Sequence, residues 1–120
     1  MVSSATAVGT GRIALIGGGF MGEGIVQGLL SQGVAGTSDL HVCELAEHRR
    51  SHLSERYGIA TSDRLHDVVP GARTVVLAVK PQDFHAVAHL LVHELQPSHL
   101  VLSIMAGMRL ETIRTTLQHD

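Results

Sequence analysis

Aromatic side chains are nearly missing from this sequence, which has two Phe, one Tyr and no Trp. A chain so poor in ring faces has little on which to stack unpaired bases, which argues against a single-strand nucleic-acid binder. Excess charge is lacking as well: a formal net charge of -2 leaves no electrostatic footprint for duplex nucleic acid or an anionic membrane surface. A single cysteine, Cys43, excludes an internal disulfide and suits a reducing cytosol, so the expected location is cytoplasmic. No apolar run approaches the ~18 residues that span a bilayer. The first residues also lack the basic start and apolar stretch of a signal peptide. Neither nucleic acid nor membrane is therefore an expected partner.

What is present suffices for one domain. Of 120 residues 44% are hydrophobic, enough for a modest packed core. Residues 1–11 are small and read as a flexible leader, which leaves 12–120 for the folded unit.

That unit is organised around Arg12-Ile-Ala-Leu-Ile-Gly-Gly-Gly-Phe-Met-Gly22. A short apolar strand runs into a glycine turn and then a helix, with Gly17, Gly19 and Gly22 in the G-x-G-x-x-G arrangement. The first glycine permits the tight turn, the second leaves the backbone bare toward a pyrophosphate, and the third lets helix pack closely on strand. The helix's first N–H groups and the positive end of its dipole would face the phosphates. The helix is expected from Phe20 to Ser31, with Met21 as core packing and Gly33 at its C-terminal cap. Gly24 and Gly28 inside it are each unfavourable by roughly 1 kcal/mol against Ala, and close packing on the sheet is the expected compensation.

Beyond the first helix, strands and helices alternate. Strands are expected at Leu40 to Glu44, Ile59 to Thr61, Thr74 to Val79 and, as another buried type, Leu100 to Ile104. Helices are expected at Glu47 to Tyr57, from a Ser62 or Asp63 cap to Val69, from Pro81 to about Leu95, and from Leu110 to Leu117. Such alternation implies right-handed crossovers and a parallel sheet with helices on both faces. Ligands of these sheets bind beyond the carboxyl ends of the strands, where strand order reverses.

Glu44 closes the second strand, where an acidic side chain can accept hydrogen bonds from adenosine ribose hydroxyls and repel a 2′-phosphate. Arg49 and Arg50, one turn on, could reach a 2′-phosphate instead. An acid there favours NAD; the alternative is that all three are solvated surface charges, and the choice between NAD and NADP stays open.

Three segments, Ile16-Gly-Gly-Gly-Phe-Met-Gly22, Ala78-Val-Lys-Pro-Gln-Asp83 and Ser103-Ile-Met-Ala-Gly107, come in the order and spacing seen in pyrroline-5-carboxylate reductases. The chain resembles that family from Arg12 to Leu117. The glycine motif alone also fits the 6-phosphogluconate dehydrogenase and F420-dependent NADP oxidoreductase groups. The resemblance implies a Rossmann-like doubly wound sheet, an NADP or NAD cofactor, and reduction of 1-pyrroline-5-carboxylate to L-proline in proline biosynthesis. It implies that the backbone of Ile16, Gly17, Gly18, Gly19, Phe20, Met21 and Gly22 lies along the pyrophosphate. It further implies that Ala78, Val79, Lys80 and Pro81 border the nicotinamide half, and that Ala106 lies on the nicotinamide side of the same crevice. Lys80 reads two ways: its backbone shapes the turn before Pro81, and its ammonium either donates to the cofactor or substrate or is simply solvated.

The sequence departs from the family at three places. Phe20 stands where the family usually has Asn, so its ring either narrows the phosphate site or packs outward. Leu65 occupies a position that commonly offers an Asn to the adenosine, and Met105 one that is usually Ala. Family members also carry a helical domain that makes the dimer and most of the substrate pocket. None of its substrate-binding residues has a counterpart here, so no catalytic residue is assigned. The expected partners are the dinucleotide and either that missing C-terminal domain or a full-length homologue. Cofactor binding without turnover is the expected behaviour, with a non-catalytic dinucleotide-binding or regulatory module as the alternative.

Two side signals read blandly. His85, His89 and His93 fall on one helical strip away from the apolar face, and no nearby Cys or carboxylate completes a ligand set, so no metal is expected. Cys43 reads as a small core residue rather than a nucleophile.

Overall fold

The strand over Ile13–Ile16 (β1) is buried at every position, as a continuous apolar run must be when helices cover both faces of a sheet. The computed structural model describes residues 11–105 and 108–119. After β1 come α1 (Phe20–Ser31), a 3-10 turn (Thr37–Asp39), β2 (Leu40–Cys43), α2 (Glu47–Tyr57) and β3 (Ala60–Ser62). Then follow α3 (Leu65–Val68), β4 (Thr74–Leu77), a 3-10 turn (Pro81–Asp83), α4 (Phe84–Leu91), β5 (Leu100–Ser103) and α5 (Leu110–Leu117). The strands form one sheet in the order β3-β2-β1-β4-β5, and every neighbouring pair is parallel. This is the doubly wound, Rossmann-like sheet that the alternation implies.

Period-two alternation along the strands sorts the core into two layers. Ala14, Ile16, Cys43, Val75 and Leu77 pack with Val68, Phe84, Leu91, Ile113 and Leu117, which belong to α3, α4 and α5. Ile13, Leu15, Leu40, Val42 and Val76 pack with Val26 of α1 and Leu53 of α2. The sheet thus has α1 and α2 on one face and the later helices on the other. No helix among the described residues is long and apolar enough to cross a membrane.

Backbone hydrogen bonds carry the ladder one residue past the strands at their carboxyl ends. Gly17 N–H donates to Cys43 O at 2.8 Å, Glu44 N–H to Ser62 O at 2.9 Å, Ala78 N–H to Ile16 O at 2.8 Å, and Ile104 N–H to Leu77 O at 3.1 Å. Five strand ends therefore stand level along one edge. The order reverses between β1 and β4, which opens a crevice there.

Several expectations need correction. The final strand is not fully buried: β5 is an edge strand, with Leu100 and Leu102 about half exposed on the α1 side. Its β4 partners in register are Thr74 and Val76, so these leucines continue the α1-side apolar row beyond the last helix covering it. The helix after Pro81 is shorter than its periodicity suggests, because α4 ends at Leu91 and turns carry the chain to Leu95. The helix α3 has no side-chain cap. Ser62 instead accepts the Arg64 N–H and donates to the Asp67 carboxylate. Met21 is exposed rather than in the core, since Gly22 and Val26 set the buried stripe of α1 and the side chain before Gly22 points away from it.

Gly24 and Gly28 do not make the close approach expected of them. A Cβ at either would meet nothing within 4 Å. Neither has a positive φ, so Ala fits both positions, and the double substitution Gly24→Ala, Gly28→Ala should stabilise the protein by about 1–2 kcal/mol. Urea denaturation measures this directly; a lower midpoint than wild type would mean that something outside the described residues packs there.

Candidate functional site

The glycine turn closes β1 in a conformation that only glycine takes without strain. Gly17 has φ +111°, and a Cβ there would lie 2.6 Å from the Ala78 carbonyl oxygen. Gly22 sits so close to the turn that a Cβ would collide with the Gly17 carbonyl oxygen. Gly19 differs from both: a Cβ there would meet nothing within 4 Å, so its bareness serves no internal packing. It precedes α1 as its N-cap, and no side chain caps the first N–H groups of the helix. Those donors have no intrahelical partners, and with the dipole behind them they suit an anion.

Glu44 braces this turn. One carboxylate oxygen accepts the Gly18 N–H at 2.7 Å and the other the Ala46 N–H at 2.8 Å. Each oxygen keeps a second lone pair for another donor. Arg49 holds the turn from the other side, its Nε donating to Gly18 O at 2.8 Å. Its Nη2 pairs with Glu23 Oε1 at 2.7 Å, and the guanidinium lies over the Phe20 ring, 5.3 Å from its centroid. Arg50 Nη1 donates to the carbonyls of Glu44 and Leu45 at 2.9 and 2.8 Å. None of the three is the freely solvated charge that surface helices usually carry.

Glu23 is the hub that sequence reasoning missed. Its second oxygen accepts the Tyr57 hydroxyl at 2.7 Å and lies 3.0 Å from His52 Nε2, with Arg56 at 3.9 Å. The Tyr57 hydroxyl, then His52 and Arg49, hold its carboxyl down at about 2. Tyr57 moves the opposite way, pushed up first by its bond to Glu23. The signal was legible: Arg49, His52 and Arg56 lie at i, i+3 and i+7 on one face of α2. An acidic residue in the first turn of α1 is also favourable on dipole grounds.

A cleft of about 540 Å³ opens at the strand ends between β1 and β4, within the range of ligand sites. Of the residues singled out from the sequence, Ile16, Gly17, Gly19, Glu44, Arg49, Ala78, Val79 and Lys80 line it. Gly18, Phe20, Met21, Gly22 and Pro81 lie outside its lining, and Ala106 falls outside the described residues. The rest of the wall is largely apolar: Leu45, Leu65, Ala86, Val87 and Leu90, together with Cys43 and Asp83. Phe20 does not plug the hollow, for it is 89% exposed and outside the cleft lining. Lys80 caps the 3-10 turn through its carbonyl, which accepts the Asp83 N–H at 2.9 Å. Its ammonium makes no ion pair among the described residues. The cradle of bare Gly19, uncapped helix amides and an acid at the end of β2 fits a dinucleotide.

Cys43 belongs to the core. Burial pushes its thiol up to about 11, and a thiol that stays protonated is a poor nucleophile. His85 and His89 are exposed on α4, and His93 lies past its end. No group of three His, Cys, Asp or Glu among the described residues could hold a metal ion.

Comparison with known proteins points the same way as this geometry. The sequence profile of the family described as NADP oxidoreductase coenzyme F420-dependent matches residues 12–107. The chain is 34% identical over 99 residues to pyrroline-5-carboxylate reductase of Pseudomonas aeruginosa, a match covering 82% of this chain and 36% of that protein. It superposes on a pyrroline-5-carboxylate reductase from Coxiella burnetii with a TM-score of 0.81 at 29% identity, covering 90% of this chain and 40% of that one. An imine reductase from Myxococcus stipitatus in complex with NAD+ shares the fold at TM-score 0.70 and 23% identity. The Plasmodium falciparum pyrroline carboxylate reductase with NADP bound shares it at 0.74 and 17%. The chain spans well under half the length of these relatives.

Proposed function

From the premise that the chain belongs to the NADP oxidoreductase coenzyme F420-dependent family, and matches the dinucleotide-binding domain of pyrroline-5-carboxylate reductases within it, we propose that it serves a cytoplasmic reduction of 1-pyrroline-5-carboxylate to L-proline, with NAD or NADP as cofactor. Residues 12–120 are the cofactor-binding unit in this reading, and 1–11 a leader outside it. The observation that carries the proposal is the bare Gly19 at an uncapped helix start, opening on a cleft that Glu44 and Ala78 to Lys80 also line.

The bound cofactor would supply hydride to the ring imine carbon; the protein's own share is binding and orientation. The amides of Gly19, Phe20 and Met21 hold the diphosphate, with Gly22 setting the helix close behind them. Gly17 and Gly18 contribute by shape, since the Gly18 N–H is already committed to Glu44. Glu44 takes the adenosine ribose hydroxyls on its remaining lone pairs. Ile16, Ala78, Val79 and Lys80 wall the nicotinamide half, with Pro81 fixing the turn that presents them. The substrate pocket comes from the helical domain of the family, in the same polypeptide or a full-length homologue.

Calorimetric titration with NADH and NADPH, joined to a spectrophotometric assay with 1-pyrroline-5-carboxylate, tests this. A polypeptide of these 120 residues is expected to bind at least one dinucleotide and to show no turnover. Silence with both dinucleotides at millimolar concentration would refute the binding, and robust turnover would refute the division of labour.

A further inference from the structure

We propose that Glu23 is a positioning residue for cofactor choice: by holding Arg49 on the glycine turn it denies that guanidinium to a 2′-phosphate, and the cleft selects NAD(H) over NADP(H). The inference rests on the dinucleotide reading above and runs against the family's description, which names NADP.

A 2′-phosphate on the adenosine ribose needs a cation at the end of β2. Two guanidinium groups stand there, and both are engaged. Arg50 lies outside the cleft lining and turns its Nη1 to the carbonyls of Glu44 and Leu45. Arg49 reaches the cleft wall, but its Nε is on Gly18 O and its Nη2 on the Glu23 carboxylate. Its side chain is 17% exposed, as is that of Glu23. Charge-assisted bonds of this kind are the strong ones. Turning Arg49 toward a phosphate would break one of them, and the Glu23 charge would still neutralise it from behind. Glu44 adds the opposing element. Its carboxylate lines the cleft and cannot swing away, because the amides of Gly18 and Ala46 grip both oxygens. Fixed there, it accepts ribose hydroxyls and repels a phosphate dianion. Negative charge against the wrong ligand and a withheld positive charge together make the discrimination.

Glu23 is outside the cleft lining, so replacing it removes no contact with the ligand. The test is the ratio of dissociation constants for NADPH and NADH, read by nicotinamide fluorescence on wild type, Glu23→Gln and His52→Gln. Wild type is expected to hold NADH about tenfold or more tighter than NADPH, and Glu23→Gln to shrink that ratio about tenfold by freeing Arg49. His52→Gln removes a Glu23 partner that does not touch Arg49 and is expected to leave the ratio as it is. Should Glu23→Gln not fold, Glu23→Asp, whose carboxylate falls short of Arg49, is expected to shrink the ratio as well. Equal affinities or a preference for NADPH in wild type overturn the proposal. So does a ratio unmoved in whichever folded Glu23 variant is measured, or one that His52→Gln moves as far. If neither dinucleotide binds wild type, the dinucleotide reading itself falls; if both bind and the ratio stands still, only this inference does.

Discussion

Gly22→Ala is expected to destabilise the protein by about 3 kcal/mol and to lower its Tm by about 12 °C or more. The added methyl would stand within the Gly17 carbonyl oxygen, a backbone atom that no rotamer change can move. Relief requires either lifting the first turn of α1 off the end of β1 or opening the glycine turn. The second route is blocked, because Gly17 is itself wedged against the Ala78 carbonyl at a φ of +111°. The first exposes Leu15 and Val26, which are sealed under that helix. Thermal unfolding followed by circular dichroism gives the answer, and a Tm within about 2 °C of wild type would show that α1 does not sit on the strand as described.

Gly19→Ala is expected to do the reverse: leave stability within about 0.5 kcal/mol of wild type while weakening dinucleotide binding by about tenfold to a hundredfold. At this position φ is -77° and ψ -162°, an extended conformation open to any residue. The methyl has room on the protein side, with nothing within 4 Å. What it fills is the space in front of the uncapped helix amides, where a diphosphate must come within hydrogen-bond distance. Both effects are read from one sample, by thermal unfolding and by titration with NADH. Unchanged affinity would mean that the anion does not sit on this turn. The expected pair of results would give two glycines of one motif separable duties, one to the fold and one to the ligand.

Most of the architecture was legible because the physics that sets it is local. Phe20–Ser31, Glu47–Tyr57 and Leu110–Leu117 begin and end where the pattern of apolar, polar and turn residues puts them. Positive φ at Gly33 and Gly58 then supplies the helix stops that glycine makes easy. Where the reading slipped, the deciding fact was tertiary. Leu100-Val-Leu-Ser103 has the composition of a central strand, but nothing local says that it comes last in the sheet order, so half of its apolar row faces outward. Likewise Gly24 and Gly28 suggest close packing only if the helix turns that face to the sheet, and it does not.

The candidate site was legible in its backbone and less so in its side chains. The strand-turn-helix at Gly17 to Gly22 and the strand-end segment Ala78 to Lys80 meet at one cleft, as their places in the alternation imply. The contacts of Glu44 are another matter. Its position at the end of β2 suggests a ligand for ribose, but no spacing rule reveals that its two oxygens already brace Gly18 and Ala46, 26 residues and two residues away. Glu23 and Arg49 are equally far apart in sequence. Their meeting depends on the helices α1 and α2 lying side by side on one face of the sheet.

The sheet order has a consequence for how the chain is made. Among the described strands the earliest in sequence, Ile13–Ile16, ends up in the middle, flanked by Leu40–Cys43 and by Thr74–Leu77. Every neighbouring pair is parallel, so no hairpin can protect it early, and one of its sides stays bare until the fourth strand has been synthesised. A nascent chain halted between the second and fourth strands carries an apolar, unpaired template for β association. Co-translational shelter by a chaperone therefore matters most over that interval, and stalling within it, rather than after it, should be what sends this polypeptide into aggregates.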